Sequence, residues 1–276
     1  MRWITIRQLL LKFDTQIQEA KKEIVRVKNT DYEIAVRNLL GDRDEQQDQY
    51  GIYENTNDLF AIVCDGMGGM DIGDIASKKA VETFERHLTD LQMGNPSAVF
   101  SELIDYMDYE VHRTNQQKKI HSGTTMVCIY IHESQLYWCS VGDSRLYVCR
   151  NGNLASATRD HNYQLKIDKL KKMGRIDDVT YERESRKGHQ LISYIGMKGI
   201  QVKDICTSPF RLKKDDVILL CSDGLYKAVE EKTLCSIIKA NMKAESCATA
   251  IEEAVEKTDT GQNDNTTYII IKKIGN

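Results

Sequence analysis

The chain has 276 residues, and its 38 lysines and arginines nearly balance 41 aspartates and glutamates. A net charge of −3 argues against a nucleic-acid binder driven by bulk charge, and only two prolines exclude a proline-rich linker. The length suits one domain of roughly 240 residues plus an appendage, or two small domains, and no apolar stretch is long enough to span a bilayer.

The eight cysteines do not read as a disulfide framework. Cys64, Cys128, Cys139, Cys149 and Cys221 lie inside or at the end of apolar runs, and no Cys-x-x-Cys pair occurs. Free buried thiols in a reducing cytosol are the expectation, without catalytic or zinc roles. Arg7, Gln8 and Lys12 interrupt the apolar N-terminal residues and no small-residue cleavage site follows, so no signal peptide is expected.

In chain order, Trp3, Ile6, Leu10, Phe13, Ile17 and Ile24 recur at helical spacing. They predict an amphipathic helix over 1–28, either packed on the domain, docking a partner or dimerising, or lying on a membrane surface. Tyr32 to Val36 reads as an entry strand, followed by the polar loop Gly41-Asp42-Arg43-Asp44-Glu45-Gln46-Gln47-Asp48. Phe60 to Cys64 is an apolar strand that stops at Asp65 and a glycine-rich turn. Helices are predicted over 74–91 and 98–118. Strands follow from Met126 to Ile131, Leu136 to Val141 and Leu146 to Val148. Their short connections predict an antiparallel meander, with Asn151-Gly152 as a hairpin turn. Residues 161–173 read as a helix, 174–188 as a charged surface loop or flap, and Gln190 to Tyr194 and Val202 to Cys206 as short strands. Val217 to Cys221 is a core strand, helices are expected near 229–240 and 246–257, and Thr267 to Lys272 closes the fold. Long antiparallel strands with paired helices predict an α+β sheet sandwich with helices outside.

One pattern repeats. Asp48, Asp65, Asp143, Asp223 and Asp264 each stand where an apolar strand begins or ends. If those strands lie side by side, the carboxylates converge and repel, and burying them unpaired is very costly. A divalent cation resolves the repulsion, and an all-oxygen donor set selects magnesium or manganese over zinc. Taken singly, each Asp is also a common solvated turn residue.

From about residue 30 to residue 273 the sequence resembles the metal-dependent PPM, or PP2C-type, serine/threonine protein phosphatases, in their compact bacterial form. The resemblance rests on Arg43 with Gln47-Asp48, Asp65-Gly66-Met67-Gly68-Gly69, Ser122-Gly123-Thr124-Thr125, Val141-Gly142-Asp143-Ser144-Arg145, Arg159-Asp160-His161, Ser222-Asp223-Gly224-Leu225 and Asp264-Asn265, in order and spacing. It implies an N-terminal extension over 1–28, a phosphatase domain over 29–276, and a four-layer α-β-β-α sandwich. It implies two Mg2+ or Mn2+ ions: Asp65 bridging both, the Gly66 carbonyl on one, Asp223 and Asp264 on the other. Asp48 would act at the rim through water, and Asp143 would join Asp223 at a third, weaker site. Arg43 would hold the substrate phosphate with its planar fork. A metal-bridging hydroxide would then attack phosphoserine or phosphothreonine in line, with no phosphoenzyme. The implied substrates are phosphoproteins and the implied counterpart is a cognate serine/threonine kinase; the free thiols point to a cytoplasmic setting, and the helix over 1–28, outside the resemblance, is a candidate for docking a partner.

Three residues depart from the family pattern. Met67 replaces a histidine that serves many eukaryotic relatives as candidate general acid, as in bacterial members, and methionine cannot donate a proton. Gln46 stands where asparagine is usual. Ile195-Gly196-Met197-Lys198 lacks an aspartate that often follows this glycine. His161 reads as structural at a helix start, with proton donation at the rim the minor alternative, and Ser122, Thr124 and Thr125 read as structural. Two other functions remain open: a catalytically silent scaffold, against which Asp65, Asp223 and Asp264 all count, and an enzyme of small phosphomonoesters. Arg175, Arg183, Arg186 and Lys187 would either select acidic or phosphorylated partners or sit on a solvated loop.

Overall fold

The computed structural model describes residues 31–55, 57–68, 72–241, 243–258 and 263–275, and the predicted helix over 1–28 lies outside the described residues. Numbered in chain order, one sheet runs β1 (Tyr32–Leu39), β13 (Thr266–Lys273), β12 (Val217–Cys221), β8 (Arg145–Arg150), β9 (Asn153–Ser156). The second runs β10 (Asp204–Ile205), β7 (Gln135–Val141), β6 (Met126–His132), β3 (Asp58–Cys64), β2 (Gln49–Glu54), with β11 (Phe210–Arg211) also against β7. Every pairing is antiparallel. A short ladder joins β4 (Gly66–Met67) to β5 (Gly123–Thr124).

The central strands read as unbroken apolar runs because both of their faces are covered. On β3, Ala61 and Val63 meet Ile129, Leu220 and Ile269 in the core between the sheets. Phe60 and Ile62 face the other way, under α1 (Gly73–Arg86), α2 (Leu88–Met93) and α3 (Pro96–Lys118). On the first sheet, Leu219 and Ile270 point outward, under α6 (Asp223–Ala228), α7 (Glu231–Ala240) and α8 (Ala244–Lys257). The result is the predicted four-layer α-β-β-α sandwich. The fully buried Arg37 of β1 ties α8 to its sheet through Glu252 at 2.8 Å and Glu245 at 2.7 Å.

Several local expectations are corrected. The meander holds only for β6 and β7: β8 belongs to the other sheet, so Gly142-Asp143-Ser144 is a crossing between sheets, not a hairpin. Gly142 has φ +99°, and His161 braces the crossing by accepting its amide at Nδ1 (3.2 Å). Residues 174–188 hold a helix, α5 (Asp178–Ser185), capped by Asp177 accepting from the Thr180 amide at 2.7 Å and packed on α4 (Tyr163–Lys172). The predicted helix 74–91 breaks at His87 into α1 and α2. Of the strand expected over 190–194 only a single bridge, Asn162 to Leu191, is formed, and 202–206 shortens to β10. The cysteines are free, and all except Cys235 are buried.

At the start of β3, the Asp58 carboxylate meets Tyr130 Oη at 2.9 Å, His132 Nδ1 at 2.7 Å, Asn55 Nδ2 at 2.8 Å and the Gln92 amide. Burial works against its charge, but the His132, Asn55, Gln92 and Tyr130 contacts outweigh burial and hold its pKa below the ordinary value.

Candidate active site

Asp65 is the first residue after β3, and its backbone is fixed on both sides. Its carbonyl accepts from the Thr125 amide and the Thr124 hydroxyl, each at 2.9 Å, and its amide donates to Thr125 Oγ1 at 3.1 Å. The strand thus hands a half-buried carboxylate to the end of the sandwich. Gly66 packs so closely that a Cβ would stand 2.4 Å from the Gly73 carbonyl and 2.5 Å from that of Gln47, so only glycine fits.

Asp223 opens α6 instead of making a turn, with Ser222 extended at the N-cap (φ −73°, ψ 171°). The Ser222 hydroxyl donates to Asp48 Oδ2 at 2.7 Å and accepts from the Thr267 amide at 2.9 Å. Asp48 is only 1% exposed, stands at the head of β2 and is not among the residues lining the cavity. Asp264 precedes β13, and Arg43 Nη2 reaches it at 2.9 Å. Asn265 ties the Arg43 loop down: its Nδ2 donates to the Leu40 and Glu45 carbonyls at 2.8 and 3.1 Å, and its Oδ1 accepts from the Gln47 amide at 2.8 Å. The longer Gln46 amide is absorbed within the same loop, bonding Leu39 and Asn38 while accepting the Asp48 amide at 3.0 Å. Asp143 lies in the crossing between sheets, 8% exposed, with Tyr226 Oη donating to its carbonyl at 3.0 Å and the Arg145 guanidinium 3.5 Å over the Tyr226 ring.

Asp65, Asp143, Asp223 and Asp264 line one cavity of about 550 Å³, together with Gly66, Met67 and Arg43. Their charges act on one another. Burial pushes the Asp65 carboxyl well above its ordinary range, and the charges of Asp48, Asp223, Asp143 and Asp264 push it further. Burial, then the Asp223 and Asp160 charges, push Asp143 up to about 7. Burial likewise raises Asp48 to about 7, with Asp223 and Asp264 adding to it and the Ser222 and Thr267 bonds opposing. Among the described residues no three histidine, cysteine or carboxylate groups cluster tightly enough to hold an ion as they stand. Asp223 pairs with Lys227, and Asp264 with Arg43. The chemistry of the set fits hard divalent cations: oxygen donors, mutually repelling, held by strands and one helix start that point them into a shared space.

Four further residues shape the site; Thr125 does so in the structural part that its sequence reading gives it, and the other three have no role assigned there. Thr125 and Asn265 fix the backbone of Asp65 and of the Arg43 loop. Asp108 on α3 accepts the amides of Gly196 (2.7 Å), Lys198 (3.1 Å) and Gly199 (2.7 Å), holding the segment whose Ile195 bridges Thr124. His189 lines the cavity from the stretch between α5 and β10. His161 is fully buried, with Nε2 3.4 Å from Asp204, as its structural reading requires.

The profile described as Protein phosphatase 2C matches residues 26–167 and 200–267, and the chain belongs to that family. It is 29% identical over 243 residues to the serine/threonine phosphatase stp of Listeria welshimeri, covering 84% of this chain and 91% of that protein. Among solved structures, the Staphylococcus aureus serine/threonine phosphatase Stp1 superposes with a TM-score of 0.73 at 22% identity, covering 95% of this chain and all of that one. The catalytic domain of the serine/threonine phosphatase PstP, in complex with two manganese ions, superposes with a TM-score of 0.68 at 24% identity, covering 89% of this chain and 99% of that one.

Proposed function

We propose that this chain is a divalent-metal-dependent phosphatase acting on phosphoserine and phosphothreonine side chains of proteins. One observation carries the proposal: acids from four separate places in the chain, Asp65, Asp143, Asp223 and Asp264, line a single cavity with Arg43. Asp65 and the Gly66 carbonyl are assigned to one ion, and Asp65, Asp223 and Asp264 to a second. Asp143 with Asp223 would hold a third ion more weakly. Asp48, held by Ser222, would act on the ions through water. Bound magnesium or manganese supplies positive charge against a phosphate dianion and lowers the pKa of water at neutral pH. Arg43 offers a planar fork to two phosphate oxygens, and its contact with Asp264 already places it at the cavity wall. Thr124 and Thr125 keep Asp65 in place, and Asn265 does the same for Arg43. No side chain of the cavity is needed as a nucleophile. A phosphatase presupposes the kinase that supplies its substrate, so we infer a serine/threonine kinase in the same cytoplasmic compartment.

The test is phosphate release from a phosphothreonine peptide with manganese, with magnesium, with EDTA, and by Asp223→Asn. Turnover that requires a divalent ion and falls by about a hundredfold or more in the variant is the expected result. A folded protein inert with every metal would overturn the proposal in favour of a silent scaffold.

A further inference from the structure

Breaking a phosphoester of serine or threonine leaves an alkoxide, a poor leaving group unless it is protonated as the bond breaks. Met67 lines the cavity and has no proton to give. Arg43 is assigned to the substrate phosphate. Asp44 and Glu45 are exposed carboxylates at the cavity edge. The Thr125 hydroxyl is engaged with the Asp65 amide and with Ser144 Oγ at 2.6 Å. With Asp65, Asp143, Asp223 and Asp264 assigned to the ions, the lining side chain left to carry a proton is the imidazole of His189.

The main chain holds His189 firmly at this wall. The Gly188 carbonyl accepts the Gln164 amide at 3.0 Å and the Gln190 carbonyl accepts the Tyr163 amide at 2.7 Å, so the residues on either side are fastened to the first turn of α4. The Gln190 amide closes back on the Lys187 carbonyl at 3.0 Å. The imidazole itself has no hydrogen-bond or ionic partner among the described residues and is open to solvent. A ring carried on an anchored backbone, lining the cavity and unbonded among the described residues, is available to a substrate. It also falls within residues 168–199, between the two matched family segments.

Resting on the phosphatase reading above, we propose that His189 is a catalytic residue, the general acid that protonates the departing serine or threonine oxygen. The water oxygen bonds to phosphorus and releases a proton to solvent. The phosphorus–oxygen bond to the substrate breaks, its electron pair stays on the substrate oxygen, and that oxygen takes the imidazolium proton. Solvent then reprotonates the ring, and the alcohol and phosphate leave.

The discriminating experiment compares full-length wild type, His189→Gln and Asp143→Asn on a phosphothreonine peptide and on p-nitrophenyl phosphate, with manganese. Nitrophenolate departs without a proton, so loss of a general acid spares it. His189→Gln is expected to lower kcat on the peptide about a hundredfold while kcat on p-nitrophenyl phosphate stays within a few fold and KM for both holds. Equal losses on the two substrates would mark His189 as merely structural and overturn the proposal. So would an unchanged peptide rate, or the selective pattern appearing in Asp143→Asn instead. Wild type inert toward both substrates would bring down the phosphatase reading itself, a result separate from any behaviour of the His189 variant.

Discussion

Strand β3 carries an aspartate at its start and is followed by another at its end, and the two live in opposite worlds. Asp58 is surrounded by donors: a phenol, an imidazole and two amides, which hold its pKa down despite burial. Asp65 is surrounded by acids, and its pKa is driven up. Residue type, strand and limited exposure are shared, so none of these marks function. What separates them is whether nearby groups favour the charge or oppose it. Asp58 completes a fold; at Asp65 the repulsion is left unrelieved, which is the ground for proposing it as a metal ligand.

The comparison can be broken most directly by neutralising the second acid. Asp65→Asn should cut kcat by roughly a thousandfold, the several kcal/mol of transition-state stabilisation that a metal centre supplies. The same variant in EDTA should unfold at a higher temperature than wild type, because it removes carboxylate repulsion. An unchanged or lower melting temperature would mean that the acids do not strain one another. Next in size is Arg43→Lys, which keeps the charge and loses the fork. A drop in kcat/KM of about tenfold to a hundredfold is expected from steady-state kinetics, and full retention would remove Arg43 from the phosphate site. Asp58→Asn should do the reverse of Asp65→Asn, costing about 1–3 kcal/mol in urea unfolding while the folded enzyme turns over normally. The smallest effect is in its pH dependence. Since the folded Asp58 carboxyl sits below its ordinary value of 3.8, its stabilisation is complete above that pH and fades as pH falls through the folded value. The stability gap between wild type and Asp58→Asn should therefore narrow below 3.8; a constant gap would mean that the charge of Asp58 contributes nothing.

The layers of the fold were legible because apolar runs such as Phe60–Cys64 and Val217–Cys221 are covered on both faces, and acids at their ends stand out against them. The crossing at Gly142 was not, since a short turn between two strands looks the same whether they pair or part into different sheets. Helix α5 escaped notice because it buries none of its residues, so no apolar period marks it; its cap at Asp177 and contacts such as Tyr181 to Asp168 hold it instead. At Asp223, the Asp-Gly pair suggested a turn where the chain begins a helix. Asp108 and Asn265 act through backbone amides and carbonyls distant in sequence, and His189 matters only because the chain returns it to the cavity; neither relation leaves a local pattern.

The crossing at Gly142 has a further consequence. Asp65 hangs from the sheet of β3, Asp223 and Asp264 from the sheet of β12 and β13, and Asp143 from the span between them. The gap between these acids is therefore set by the thickness of the apolar filling between the sheets, where Val63, Leu220 and Ile269 meet. Interior side chains that never touch a substrate work as the shims of the site: a methylene gained or lost there changes the bite of the carboxylates, and with it the size of ion that the proposed metal site would accept.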